Sequence, residues 1–222
     1  HVVPICSGFV LGSNIKHIPI AGRKITKFME QMIRERGEKI ATEDLYFATM
    51  KLKEKHGYVA ERDLLEEFAK LDMKTNNNGV ITQSKYFRPF KGHGKISKKN
   101  YEFTPGYEVF LGPEAFFSPE IIDKNWKTGL DEVIDNTVQQ SPIDYRRKLY
   151  SNVVMSGGST QFKGFAERLQ RTLQERVDKR LKANETEDFK PRPIGVHVTN
   201  SLAQKHVVWL GGSTVASGEN FD

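Results

Sequence analysis

Residues 152–160 read Asn152-Val153-Val154-Met155-Ser156-Gly157-Gly158-Ser159-Thr160. The run 152–155 predicts a short buried strand, and Ser156–Thr160 predicts a tight turn. Beyond the turn, Phe162, Phe165, Ala166, Leu169, Leu173, Val177 and Leu181 recur every three or four residues, which predicts a long amphipathic helix. Glycine has no Cβ, so a ligand can lie directly on such a turn, and free N–H groups at a helix start suit phosphates or polar purine edges. A second Gly-Gly-Ser, at Gly211-Gly212-Ser213, closes the strand-like run His206-Val207-Val208-Trp209-Leu210, with a helix expected after it. Neither turn matches the lysine-bearing phosphate loop or the dinucleotide fingerprint.

Upstream, strands and helices interleave, which argues an α/β architecture. Val2–Cys6 and Phe9–Leu11 flank Ser7-Gly8 as a hairpin, and Ile15–Ile20 alternates as a further strand. Ile25, Phe28, Met29, Met32 and Ile33 fall on one helical face that Gly37 ends. Further helices are expected over about 42–55, 64–71 and 128–140, with 144–149 a connector. Residues 72–100 change character: Asn76-Asn77-Asn78-Gly79 is rich in turn formers, and Lys91–Lys99 holds many Lys and Gly. They read as a mobile, basic surface insertion. Ile194–Val198 reads as another strand. No repeat of 20–50 residues is apparent.

With 37% hydrophobic and 28% charged residues, the 222-residue chain has the composition of a folded globular protein. No apolar run reaches the roughly 20 residues that span a bilayer, so no membrane insertion is expected. The one cysteine, Cys6, excludes an internal disulfide framework and fits a reducing compartment. The net charge of +6 is spread over helices and loops without an aromatic-laced patch, so no nucleic-acid partner is expected. The start at His1-Val2-Val3-Pro4-Ile5, already strand-like, reads as an internal segment of a longer protein. No nucleophile elbow is present, and Lys53-Glu54 on a helix suits a ribose or base edge, although such pairs are usually surface charges.

Several runs then come together. His1–Ile5, Ile18-Pro19-Ile20-Ala21-Gly22-Arg23, Lys53-Glu54-Lys55 with Tyr58-Val59, Pro142–Tyr150, Val153–Thr160 and Val208–Ser213 resemble the actin superfamily, in family order and spacing over nearly the whole chain. Phe110-Leu111-Gly112-Pro113-Glu114 and Arg168-Leu169-Gln170-Arg171 are similar to an actin-related subfamily where actin itself differs.

The resemblance implies an actin-like, ribonuclease H-like ATPase fold, here mainly the lobe of subdomains 3 and 4. Residues 1–20 and 119–206 would form subdomain 3, residues 21–118 subdomain 4, and 207–222 the start of the return to subdomain 1. Carried over by motif, Gly22, Lys53, Glu54, Gly157, Gly158, Ser159, Phe162 and Lys205 would bind the adenosine end of ATP or ADP. His1 would position the attacking water. Mg²⁺ would be held by residues outside this chain, and the full-length protein would be at most a weak ATPase, its role mainly structural and nucleotide-binding. Lys24, Met50, Gln161 and Ser7 depart from the family's usual residues at their positions. The implied role is a cytoplasmic subunit of the branched-filament nucleating complex. Its partners would be actin-related protein 2, the smaller subunits, actin filaments and nucleation-promoting factors. Another actin-related assembly (a chromatin remodeller or dynactin), a sugar kinase and an actin proper stay open as alternatives.

Overall fold

Most of the regular secondary structure is helical: α1 (Gly22–Glu35), α2 (Thr42–His56), α3 (Leu64–Leu71), α4 (Glu108–Glu114), α5 (Leu130–Gln140), α6 (Ile143–Tyr150), α7 (Phe165–Ala183) and α8 (Val207–Ala216). Strands are short: β1 (Ile5–Cys6), β2 (Phe9–Val10), β3 (Lys74–Thr75), β4 (Ile81–Gln83), β5 (Phe90–His93), β6 (Asn100–Phe103), β7 (Val153–Val154) and β8 (Val198–Thr199). The computed structural model describes residues 1–62, 64–71, 74–75, 81–83, 88–201 and 203–218. The mixed helix and strand content agrees with the α/β class expected from the sequence. The chain divides into two units: His1–Pro19, Thr128–Gln161 and Phe165–Asp222 make the first, and Ile20–Lys127 with Phe162–Gly164 make the second.

In the second unit, α1 packs against α2 and α4. Ile25, Met29, Met32 and Ile33 form its buried stripe, and the half-buried Phe28 borders it. Gly112 of α4 lets this contact close, because a Cβ there would lie 2.7 Å from Met29 Cγ. Gly37, at φ +73°, ends the α1 segment in the left-handed region that glycine favours. Just before it, Arg36 is buried between two carboxylates. Its guanidinium donates to Glu108 Oε2 at 2.8 Å and to the Thr104 carbonyl at 3.2 Å, and Glu38 Oε1 lies 3.2 Å away. Burial pushes the Glu38 and Glu108 carboxyls above their ordinary range, with Arg36 opposing the shift.

The basic stretch 72–100 differs from its expectation. Asn76–Gly79 lies outside the described residues. Residues 90–103 are a built antiparallel hairpin, β5 on β6, pairing Phe90 with Phe103 and Gly92 with Tyr101. Phe90, Tyr101 and Phe103 are buried, with the Phe90 and Phe103 rings 5.6 Å apart. The Lys- and Gly-rich tip hid a hairpin whose aromatic flanks do the packing.

In the first unit, β1 and β2 form the expected hairpin. Ser7 (φ 52°) and Gly8 (φ 83°) supply the two positive φ values of a two-residue turn. The further strand expected over Ile15–Ile20 reduces to a single antiparallel bridge between Val2 and Lys16. Helix α5 packs on α7, and Phe165, Leu169, Leu173 and Val177 are the buried face of α7. That helix begins at Phe165, so Phe162 is not part of it; Gly164 at φ +81° separates them. The connector expected at 144–149 is helix α6, started by Pro142 and ended by a fully buried Tyr150. The Tyr150 hydroxyl donates to Asp135 Oδ1 at 2.5 Å and accepts from Gln139 and Arg180, both at 2.9 Å. Burial, with the Asp135 hydrogen bond, pushes that phenol up to about 12.

β7 pairs in parallel with β8, Val153 with Val198 and Val154 with Thr199. The expectation that β7 is buried fails, since Val154 is 62% exposed. The second Gly-Gly-Ser is not a strand–turn. It lies inside α8, whose Val208, Trp209, Leu210 and Val215 are all exposed. Its β-branched run mimics a strand, but the period-2 and period-3.6 readings cannot be told apart over so few residues.

Arg36→Met should destabilise the folded full-length protein by about 3–5 kcal/mol, because two buried carboxylates lose their counter-charge. Adding Glu38→Gln and Glu108→Gln should recover most of it in urea titrations. Glu38 and Glu108 titrate above their ordinary 4.5 in the folded chain. Their contribution to stability is therefore full below pH 4.5 and is lost as the pH rises through the raised values. Thermal melts of Glu38→Gln across that range should show a flatter pH dependence than the parent.

Candidate functional site

The turn after β7 is braced from the side. Gly157 stands at φ +104° and donates its N–H to the Gln204 carbonyl at 2.9 Å. Residues Gly158–Gln161 follow as one 3-10 turn. Gln204, only 3% exposed, turns its carboxamide onto this segment. Its Nε2 donates to the Thr160 carbonyl at 3.2 Å and makes a short contact with Thr160 Oγ1. Thr160 Oγ1 in turn donates to the Gly157 carbonyl at 2.7 Å. Sequence reasoning missed Gln204, because nothing in the surrounding Ser201–Lys205 stretch marks it.

The glycines serve two ends here. A Cβ at Gly157 would meet nothing within 4 Å, so its positive φ, and not crowding, requires glycine. The same open space leaves the backbone face bare. Gly158 is exposed, and a Cβ added there would meet only Lys205 Cγ, at 4.0 Å. Ser159 is half-buried within the turn. His1 and Gly157 both line an open groove of about 840 Å³ in the first unit, together with Val3, Ile5 and Val154. The His1 ring stands edge-on to His17, with centroids 4.5 Å apart.

The remaining candidates belong to the second unit. Lys53, 9% exposed on α2, donates from Nζ to the Gly22 carbonyl and to Thr26 Oγ1, each at 2.9 Å. Burial holds its pKa below the ordinary lysine value. Two of its three N–H donors are thus spent on the start of α1, leaving one for a ligand. Glu54, one position on, is exposed and borders an open pocket with Lys51, Lys55, Phe90 and Lys91. Adjacent helical residues point about 100° apart, so Lys53 and Glu54 would reach one ligand from different sides. Phe162 sits against Gly57, the residue after α2, where a Cβ would come 2.7 Å from Phe162 Cε1. The Val59 N–H to Lys163 carbonyl bond at 2.9 Å fixes that segment.

The structure therefore gathers Gly22, Lys53 and Phe162 around α2, and gathers Gly157, Gly158, Ser159 and Lys205 around the Gln204-braced turn. Among the described residues, no group of three or more His, Cys, Asp or Glu could hold a metal ion. No helix of the described residues is long and apolar enough to cross a membrane.

Residues 1–222 match the family profile described as Actin. The chain is 44% identical over 224 aligned residues to actin-related protein 3 of Drosophila melanogaster. It is 43% identical to the protein of that name from Caenorhabditis elegans and 42% to that from Dictyostelium discoideum. In each comparison all of this chain is covered, against 51% of the relative, so the chain spans about half the length of these relatives.

Gln204→Leu should strip the glycine turn of its brace. About 1–3 kcal/mol of stability is expected to go, as for a buried hydrogen-bonding group left unpaired. Amide exchange over residues 157–161 should accelerate more than exchange in α7, as read by mass spectrometry.

Proposed function

The chain belongs to the actin family, and we propose on that premise that the full-length protein is an ATP- or ADP-binding, actin-related subunit of the complex that nucleates branched actin filaments. The observation that carries this reading is the co-linear 42–44% identity, over the whole of this chain, to proteins named actin-related protein 3. The motif set that sets this subfamily apart from actin, including Phe110–Glu114 and Arg168–Arg171, supports it.

In this reading the subunit works with actin-related protein 2 as a template. Two actin-like surfaces held side by side spare free actin its unfavourable first associations. Smaller subunits, filaments and nucleation-promoting factors are the further partners, in the cytoplasmic actin cytoskeleton. Residues 1–20 and 119–206 correspond to subdomain 3 and residues 21–118 to subdomain 4.

Gly157 and Gly158 offer bare backbone to the purine and sugar end of the nucleotide, with Ser159 and Lys205 beside them. Phe162, seated on Gly57, covers the purine face. Lys53, anchored on Gly22, has one donor for the ribose side, and Glu54 offers a carboxylate acceptor. His1 positions water. ATP with Mg²⁺, when bound, would supply polyphosphate charge for a clamp between the protein's lobes. The nucleotide acts chiefly as a conformational clamp, with weak hydrolysis.

Full-length protein should bind a fluorescent ATP analogue, and Gly57→Val, whose side chain would press on both the Lys53 carbonyl and the Phe162 ring, should weaken that binding about tenfold or more. Complex reconstituted without the subunit should lose branch nucleation in microscopy assays with actin. Full-rate branching by the depleted complex would overturn the nucleator reading. An unchanged analogue affinity in Gly57→Val would overturn the place given to Phe162.

A further inference from the structure

We infer that the tip of the β5–β6 hairpin, Gly94–Lys99, is a pre-organised docking loop for an acidic protein surface. Asp44, 1% exposed in the first turn of α2, reaches across to this tip. Its Oδ1 accepts the Ile96 N–H at 2.9 Å and its Oδ2 the Ser97 N–H at 3.0 Å. Gly94 closes the turn by donating to the Lys99 carbonyl at 2.8 Å, and a Cβ at Gly94 would lie 2.2 Å from Asp44 Oδ2. These N–H donors hold the Asp44 carboxyl down to about 2, so it stays ionised at any physiological pH.

A buried carboxylate committed to one surface turn implies that the shape of that turn matters. Lys98 makes the same point: it stands at φ +58°, a conformation that favours glycine, yet a lysine occupies it. Lys95 lies over the Phe47 ring at 5.3 Å and Lys91 pairs with Glu102. Among the described residues, no ion pair engages Lys98 or Lys99. Beside them Ile96 is 57% exposed. The tip thus offers one apolar side chain flanked by two free ammonium groups on a fixed backbone. A rigid partner with carboxylates around a small apolar recess complements it, and the fixed loop lowers the ordering cost of binding. Glu102 and Asn100 on the adjoining strand interrupt the positive surface, which disfavours a phosphate backbone or a lipid headgroup layer.

The full-length protein is titrated with a dye-labelled peptide of alternating glutamate and leucine, then treated with a carbodiimide, which joins a lysine amine to a carboxylate at ion-pair distance. Mass spectrometry should find the peptide on Lys98 or Lys99. The double variant Lys98→Glu/Lys99→Glu, confined to the surface, should bind about tenfold more weakly. Ile96→Ser should weaken binding about threefold. Asp44→Asn should also weaken it, with Lys98 and Lys99 still present. Coupling at other lysines, equal binding by the double variant, or tighter holding of duplex DNA or phosphatidylserine vesicles through the same two lysines would overturn the proposal.

Discussion

The ammonium of Lys53 holds the second unit in register. Buried on α2, it could not remain charged there without partners, and it finds them in the Gly22 carbonyl and the Thr26 hydroxyl at the start of α1. That bond fixes where α1 begins relative to the last turns of α2. Gly57 follows directly, its N–H closing onto the Lys53 carbonyl at 2.9 Å, and the Phe162 ring rests on Gly57. One cation thereby links helix start, helix end and the aromatic face proposed for the purine. Lys53 is therefore both a structural pin and a ligand candidate, and its structural share is the larger, with two donors of three.

The first unit solves a similar problem without charge. A turn that leaves its glycine backbone bare toward one side needs its other hydrogen-bonding groups satisfied from behind. Gln204 does this with a single carboxamide and its own carbonyl. Tyr150 plays the corresponding part deeper in, gathering Asp135, Gln139 and Arg180 at one hydroxyl where α5, α6 and α7 meet. In both units a buried, hydrogen-bonded polar group sets a local geometry that apolar packing alone would leave degenerate.

What could be read in the sequence followed from pattern length. Helices α1, α2 and α3 showed several turns of apolar periodicity or clear limits, and the φ-demanding Gly8, Gly37 and Gly157 announced their turns. Helix α6 was hidden because its eight residues carry charge on most faces and bury chiefly Tyr150. Helix α8 read as a strand because Val207–Leu210 is β-prone, and glycines that usually stop an element were carried inside it. The β5–β6 hairpin was masked by its lysines, since the carboxylate that shapes the tip, Asp44, lies some fifty positions away in sequence. Among site candidates, the glycines were legible because backbone demands are local. Gln204 and the pinning of Lys53 were not, because each depends on a partner that only folding brings near.

The exposed face of α8 has an optical consequence. The chain has two tryptophans, Trp126 and Trp209, and Trp209 is 70% exposed. An indole in water emits at long wavelength and is open to collisional quenchers. Trp126 is only half-exposed, so the two chromophores sit in unlike surroundings. Whatever comes to cover Val208, Trp209 and Val215 must dehydrate that ring, which makes the chain's own fluorescence a built-in gauge of occupancy on this helix, with no label attached.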